Sequence, residues 1–265
     1  MWIFCCGMER SGSTVQFQIS AQLVEDAGLG KRVEWVKAEE FPKLLEKYDS
    51  YNDWKVLKSH RFNNEVCSEF QKNNAKGVYI YRDLRDVFVS MMRKNSLSFE
   101  QLWGSGFLDR CLSEFYKWTS LPGILVSKYE EMVADLPGEV ERIALHLGLK
   151  SDPKKCQAIA SDFTLERQLE RIEKSKGKEA LRQGYANGPH FDPHTNLHTN
   201  HIHSGEIGGW EGLLIAEQVA LIENKTRNWL LAQGYELTLS TSSRNLRTLR
   251  YKLQKILSKE SLISQ

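Results

Sequence analysis

The chain has 265 residues, of which 41% are hydrophobic and 26% charged, with a formal net charge of +2. That length suffices for one large α/β domain with a sizeable core. The near-neutral balance excludes nucleic-acid binding spread over the whole surface, although an anionic small ligand needs only local charge. Five cysteines (Cys5, Cys6, Cys67, Cys111, Cys156) are odd in number, irregularly spaced and without a CxxC pair, which reads as reduced thiols in a cytoplasmic protein. No stretch approaches transmembrane length. The opening "MWIFCCGMERS" has too short an apolar part for a signal peptide, and no basic residue precedes it.

In chain order, "MWIFCC" is an apolar run ending in glycine, as a buried parallel strand would be. "STVQFQISAQLVEDAGLG" has helical spacing and stops at glycines. "KRVEWVKA" alternates as a second strand, and "EEFPKLLEKYDS" reads as a short helix. "WKVLKSH" and "KGVYIYR" supply strands three and four, "RDVFVSMMRKN" and "FLDRCLSEFYKWTS" two helices, and "GILVSKYEEM" a fifth strand. Helices then dominate through "GEVERIALHLG", "PKKCQAIASDF" and "AEQVALIENKTRNWLLAQG". Strands alternating with helices predict an α/β fold, a central parallel sheet flanked by helices in three layers. The expected body is 1–237, followed by a basic helical tail, 238–265.

Two segments look loop-like: 177–210, rich in Gly, His, Asn and Pro, and the tail itself. The tail carries Arg244, Arg247, Arg250, Lys252, Lys255 and Lys259 against Glu260, with Leu246, Leu249, Leu253, Ile256 and Leu257 at helical spacing. It reads as a terminal helix packed on the body, with peripheral contact to an acidic membrane or partner as the alternative.

"GMERSGST", 7–14, nearly spells a GxxxxGK[ST] loop, but Ser13 stands at the lysine position. A strand, a glycine-bounded turn and a helix still make a phosphate cradle, because N–H groups and the helix dipole favour an anion there. Arg10 supplies the charge from the other side of Gly12. No apolar strand ends in an aspartate suited to magnesium. The loop therefore points to a phosphate-like ligand without the magnesium–ATP apparatus, the plain alternative being that Ser11, Ser13 and Thr14 only cap a helix. In "YIYRDLRDVFVSMMR", Arg82 ends a strand and Ser90 follows eight residues on, so guanidinium and hydroxyl can share a second phosphate. The alternative is that Arg82, Asp83, Arg85 and Asp86 form surface ion pairs.

Taken together, these pieces resemble the sulfotransferases that use 3′-phosphoadenosine-5′-phosphosulfate, small bacterial members most of all. "ERSGST" is similar to their 5′-phosphosulfate loop, "RDLRDVFVS" to their 3′-phosphate motif, and "VLKSHRF" to their Lys-x-His segment. "SKYEEM", "SDFTLE" and "HIHSGEIGGW" are similar to their tyrosine, adenine-stacking and late glycine-loop segments. The pieces stand in family order from Gly7 to Trp210. The resemblance implies a P-loop-like fold and sulfuryl transfer to a hydroxyl, or less readily an amine, of a small acceptor. Its product would be adenosine 3′,5′-bisphosphate, with no metal required. It assigns Arg10, Ser11, Gly12, Ser13 and Thr14 to the 5′-phosphosulfate and Arg82 and Ser90 to the 3′-phosphate. Tyr129, Ser161 and Phe163 would frame the adenosine, and His203, Ser204 and Gly205 stand at the family's Arg-Lys-Gly. Three departures are visible: Arg10 for the common lysine, Val15 for a frequent tryptophan, and His203-Ser204 without the doubled positive charge.

His60, just past the third strand, is the candidate general base. Lys58, facing the same way two residues earlier, and Arg10 would stabilise charge on the departing phosphate. The plain alternative for a strand-end histidine is a structural role. His190, His194, His198, His201 and His203 invite a metal hypothesis, but no cysteine is near and acids are few. The expectation is a loop over cofactor and acceptor. The competing reading from another class is a nucleotide-binding, kinase-like or regulatory protein of the same fold without sulfuryl transfer. The acceptor itself is not legible beyond loop aromatics, Trp103, Phe107, Tyr185 and Phe191.

Overall fold

The structure, a computed structural model, describes residues 1–48, 52–175, 182–183, 190–192, 194–200, 202 and 204–263. The chain divides into two compact units, 1–82 with 113–205, and 83–112 with 206–265.

The first unit holds a five-stranded, wholly parallel sheet: β1 (Trp2–Gly7), β2 (Gly30–Trp35), β3 (Trp54–Lys58), β4 (Ala75–Tyr81) and β5 (Ile124–Lys128), in the order β2-β3-β1-β4-β5. Alternation along β1 assigns its two faces. Ile3 and Cys5 join α1 (Ser13–Asp26), α8 (Leu136–Leu147) and α9 (Pro153–Asp162) through Phe17, Ile19, Val140, Ile143 and Ile159. Trp2 and Phe4 turn the other way, onto Phe41 of α2 (Phe41–Lys47), at ring-centroid distances of 5.2 Å each. Phe4 also meets Phe70 of α3 (Asn64–Gln71) and Trp118 of α6 (Phe107–Thr119). Both sheet faces are thus covered, which is why β1 reads as an unbroken apolar run. None of the five cysteines forms a disulfide, Cys5 and Cys6 being buried in β1.

Three helices of this unit were not expected from the sequence: α3, α7 (Tyr129–Ala134) and α10 (Leu165–Ser175). Within 177–210, expected to be loop, the described residues form a small antiparallel sheet of β6 (Arg182–Gln183), β7 (His190–Asp192) and β8 (Leu197–His198). Strands of two or three residues are too short for alternation to register. Gln18 of α1 ties this sheet down, donating to the Thr195 carbonyl at 2.9 Å while accepting from Gln168 Nε2 at 2.7 Å.

The second unit comprises α4 (Leu84–Asn95), α5 (Phe99–Gly104), the start of α6, α11 (Ala216–Ala232) and α12 (Thr241–Ile263). A Ser98/Gln101 capping box starts α5, and Phe88 of α4 packs on Phe99 with ring centroids 5.0 Å apart. The terminal helix α12 packs along α11 through Asn224–Thr248 and Arg247–Glu217 contacts.

Candidate active site

In an open parallel sheet, ligands bind beyond the carboxyl ends of the strands where strand order reverses. Here β3 and β4 flank β1 on opposite sides, and the predicted residues of the first unit sit at those ends. The 7–14 loop follows β1, Lys58 and His60 close β3, Arg82 follows β4, and Tyr129 follows β5.

The loop is built tightly. A Cβ at Gly7 would lie 2.5 Å from the Ile80 carbonyl oxygen, so only glycine fits between β1 and β4. Gly12 has φ +90°, and a Cβ there would lie 2.9 Å from Cδ2 of Tyr129. Gly12 is also the N-cap of α1, with no side chain of its own to cap the helix. Ser11 is fully buried, and its hydroxyl donates to the carbonyls of Met8 (2.6 Å) and Ile80 (3.0 Å). Its main-chain N–H also bonds the Met8 carbonyl. Ser11 therefore braces the loop against β4. Ser13 and Thr14, both 4% exposed, open the first turn of α1, where helix N–H groups favour an anion. Lys58, equally buried, donates to Thr14 Oγ1 at 2.5 Å, fixing its ammonium at the head of the helix.

Arg10 sits in the left-handed region at φ 73°, a conformation that costs a bulky L-residue about 1–2 kcal/mol and is typically held at functional sites. Burial, and then the Arg82 guanidinium, lower its pKa to about 10, with Glu9 and Tyr129 partly offsetting them. It stays charged at neutral pH. The Arg82 charge thus acts on Arg10, and an anion would relieve the positive potential the two share. Arg82 lies over the Tyr129 ring at 4.3 Å, and Tyr129 Oη donates to the Gly205 carbonyl at 2.8 Å. The ring expected to face adenine thus carries Arg82 on one side, and sequence reasoning missed this platform role.

His60 Nδ1 lies 3.0 Å from the Gly7 carbonyl oxygen. A carbonyl only accepts, so Nδ1 carries the proton and Nε2 is the basic nitrogen of the neutral ring. The same glycine that shapes the loop therefore sets the tautomer of the histidine.

The other predicted residues are placed as follows. Ser161 is exposed near the end of α9, its hydroxyl bonded to the Gln157 carbonyl. Phe163 is buried in the α1–α8–α9 core beneath the Arg171 guanidinium, 5.0 Å away. Ser204 is half-buried. Gly205, at φ +69°, lies against Leu165 and Tyr129. His203 and His201 lie outside the described residues, as does Tyr185. His198 stacks on Phe191, and the His194 N–H bonds Asp192, both within or beside the small sheet. Among the described residues no three His, Cys, Asp or Glu groups gather as a metal would require.

In the second unit Ser90 is the seventh residue of α4 and half-buried. Surface ion pairs, the alternative for "RDLRD", do not form, because Asp83, Arg85 and Asp86 are 6%, 4% and 3% exposed. Asp83 caps α4, and Arg85 bridges Asp83 (2.7 Å) and Glu223 of α11 (2.8 Å) beneath the Trp210 ring. Burial alone would lower the Arg85 pKa, but these two carboxylates raise it. Asp86 accepts from the N–H groups of Gly208 (2.9 Å) and Trp210 (3.1 Å), locking the late glycine loop to the start of α4. Sequence reasoning missed Asp86 and Glu223. Phe107, expected at an acceptor pocket, is buried against Phe88, and Trp103 stacks on Phe99.

The parallel α/β sheet places the head of α1, with Lys58 bonded to Thr14 there, where an anion is favoured. A family model described as "Sulfotransferase domain" matches residues 2–232, and the chain belongs to that family. Among solved structures, it is similar to retinol dehydratase in complex with androsterone and inactive cofactor PAP. The identity there is 19%, with 90% of this chain and 82% of that one covered at a TM-score of 0.60. It is also similar to mouse sulfotransferase SULT7A1 complexed with PAP (17%, 94% and 88%, 0.59). A further likeness is an Arabidopsis thaliana putative steroid sulphotransferase (16%, 89% and 78%, 0.50). No curated protein matches the sequence. Among the described residues no helix is long and apolar enough to cross a membrane.

Proposed function

We propose that the protein moves the sulfuryl group of 3′-phosphoadenosine-5′-phosphosulfate onto a hydroxyl of a small, largely apolar acceptor. The observation that carries this is the placement of Arg10, Lys58 and Arg82 after the carboxyl ends of the adjacent strands β1, β3 and β4, with Lys58 bonded to Thr14 at the head of α1 and the Arg82 charge felt at Arg10. Cations so placed suit a donor with phosphate at both ends of its ribose. Arg10, Ser13, Thr14 and Lys58 would hold the phosphosulfate side, and Arg82, propped on Tyr129, the 3′-phosphate. Similar proteins of this fold carry PAP together with androsterone or retinol, which favours an apolar alcohol as acceptor.

In this reading the acceptor oxygen attacks sulfur in line. The new O–S bond forms as the bond from sulfur to the bridging phosphate oxygen breaks, and the acceptor proton passes to His60 Nε2. Arg10 and Lys58 take up the charge left on the departing adenosine 3′,5′-bisphosphate. Lys58 is already fixed by Thr14, so little reorganisation is needed.

Calorimetry with adenosine 3′,5′-bisphosphate in chelator, beside ATP with magnesium, tests the donor. Tight, metal-independent binding of the bisphosphate is the expected result. A preference for magnesium–ATP would overturn the reading in favour of a kinase-like or regulatory protein.

The strain at Arg10 gives a second test. Arg10→Gly removes both the left-handed penalty and the repulsion from Arg82. The ligand-free variant should therefore melt higher, by about 2–4 °C per kcal/mol recovered, while losing affinity for the bisphosphate. A lower melting temperature measured by scanning calorimetry would contradict the strain argument.

A further inference from the structure

The terminal helix α12 packs in an unusual sense. One arc of polar side chains faces the protein. Arg244, 2% exposed, bonds Asn224 and Thr241, Thr248 accepts from Asn224, Arg247 pairs with Glu217, and Tyr251 donates to Glu100. Its leucines face outward: Leu246, Leu249 and Leu253 are 68%, 55% and 51% exposed. At about 100° per residue these three fall within one narrow arc, opposite the arc of Arg244, Thr248 and Tyr251. Arg250 and Lys252, both exposed, fall on the two flanks of the leucine stripe. From Leu237 to Lys259 the sequence has no acidic residue, and the apolar spacing continues with Ile256 and Leu257.

We propose that α12 lies flat on an anionic membrane surface, with its leucine stripe inserted among the lipids and Arg250 and Lys252 on the headgroups. Charge complementarity commits the surface to this occupant. Cations bordering an apolar stripe of a helix too polar to span a bilayer are the pattern of an interfacial helix, and α12 is not a membrane-crossing helix. A second copy of the chain fits poorly. Three leucines supply far less than the ~1,200 Å² of a stable interface, and two acid-free faces would repel. The consequence for the proposed function is an enzyme held where apolar alcohols partition, but the inference rests on α12 alone.

The test is co-sedimentation of the full-length protein with vesicles of phosphatidylcholine alone or with phosphatidylserine added. The wild type is expected to bind only the phosphatidylserine vesicles and to be released by high salt. Leu246→Ser/Leu249→Ser/Leu253→Ser should lose binding about tenfold or more, with unchanged circular dichroism and unchanged binding of adenosine 3′,5′-bisphosphate. Arg250→Glu/Lys252→Glu, which leaves the leucines in place, should lose about tenfold as well. No binding by the wild type, equal binding to both vesicles, or binding that survives both variants overturns the proposal. So does a wild type that is dimeric by light scattering and becomes monomeric in the leucine variant, since the stripe is then a protein interface.

Discussion

His60→Ala is expected to lower kcat by about 10²–10⁴-fold, about 2.7–5.4 kcal/mol of barrier, while leaving affinity for adenosine 3′,5′-bisphosphate within about twofold. The asymmetry follows from where the ring is tethered. His60 is held through Nδ1 by the Gly7 carbonyl at 3.0 Å, whereas the charges proposed to face the anion are Arg10, Lys58 and Arg82. Removing the imidazole removes a proton acceptor and leaves those cations in place. His60→Gln separates base from brace. Its amide can donate to Gly7 in place of Nδ1 but cannot take the acceptor proton, so its turnover should be as low as that of the alanine variant. Single-turnover assays beside equilibrium binding check both. If the glutamine variant turns over at the wild-type rate, His60 acts as a structural residue and the base lies elsewhere.

The sheet was legible because β1 is an apolar run and β3 and β4 are short segments rich in apolar and aromatic residues, each stopping at a loop bearing charge or glycine. The Ser98/Gln101 box that opens α5 was readable but overlooked, since the helix it starts is only six residues long. Helix α10 was readable too, for Leu165, Leu169 and Ile172 recur at helical spacing, although of its eleven residues only Gln168 and Ile172 are buried. Helix α7 follows β5 without a break, so Tyr129 read as the end of a strand. At the site, residue type revealed charge but not direction. Ser11 carries the right hydroxyl for an anion, yet spends it on Met8 and Ile80. Asp86 meets main-chain groups more than 120 residues away in sequence, and Gly and Trp N–H groups leave no trace in a motif. The positive φ of Arg10, which marks it as strained, likewise has no signature in a residue letter.

The second large effect is expected at Arg82. A charged hydrogen bond to phosphate is worth about 1.5–3 kcal/mol, so Arg82→Ala should weaken adenosine 3′,5′-bisphosphate about 10–150-fold. Adenosine 5′-phosphate, which lacks the 3′-group, should bind nearly as before, because the 5′ side would be held by Arg10 and Lys58. The loss has a compensating side. Arg82 is one of the two causes that lower the Arg10 pKa, and its removal relieves that repulsion. The ligand-free Arg82→Ala protein should therefore not be less stable by the full worth of the Arg82–Tyr129 contact, and Arg10 should bind a 5′-phosphate at least as well. Arg82→Lys separates charge from shape. Lysine keeps the cation but not the planar fork that lies 4.3 Å over the Tyr129 ring, so it should recover only part of the affinity. The check is calorimetry of both nucleotides against all three proteins. An equal loss for the two nucleotides in Arg82→Ala would remove Arg82 from the 3′-phosphate. It would place that guanidinium, with Arg10, on the 5′ side of the donor instead.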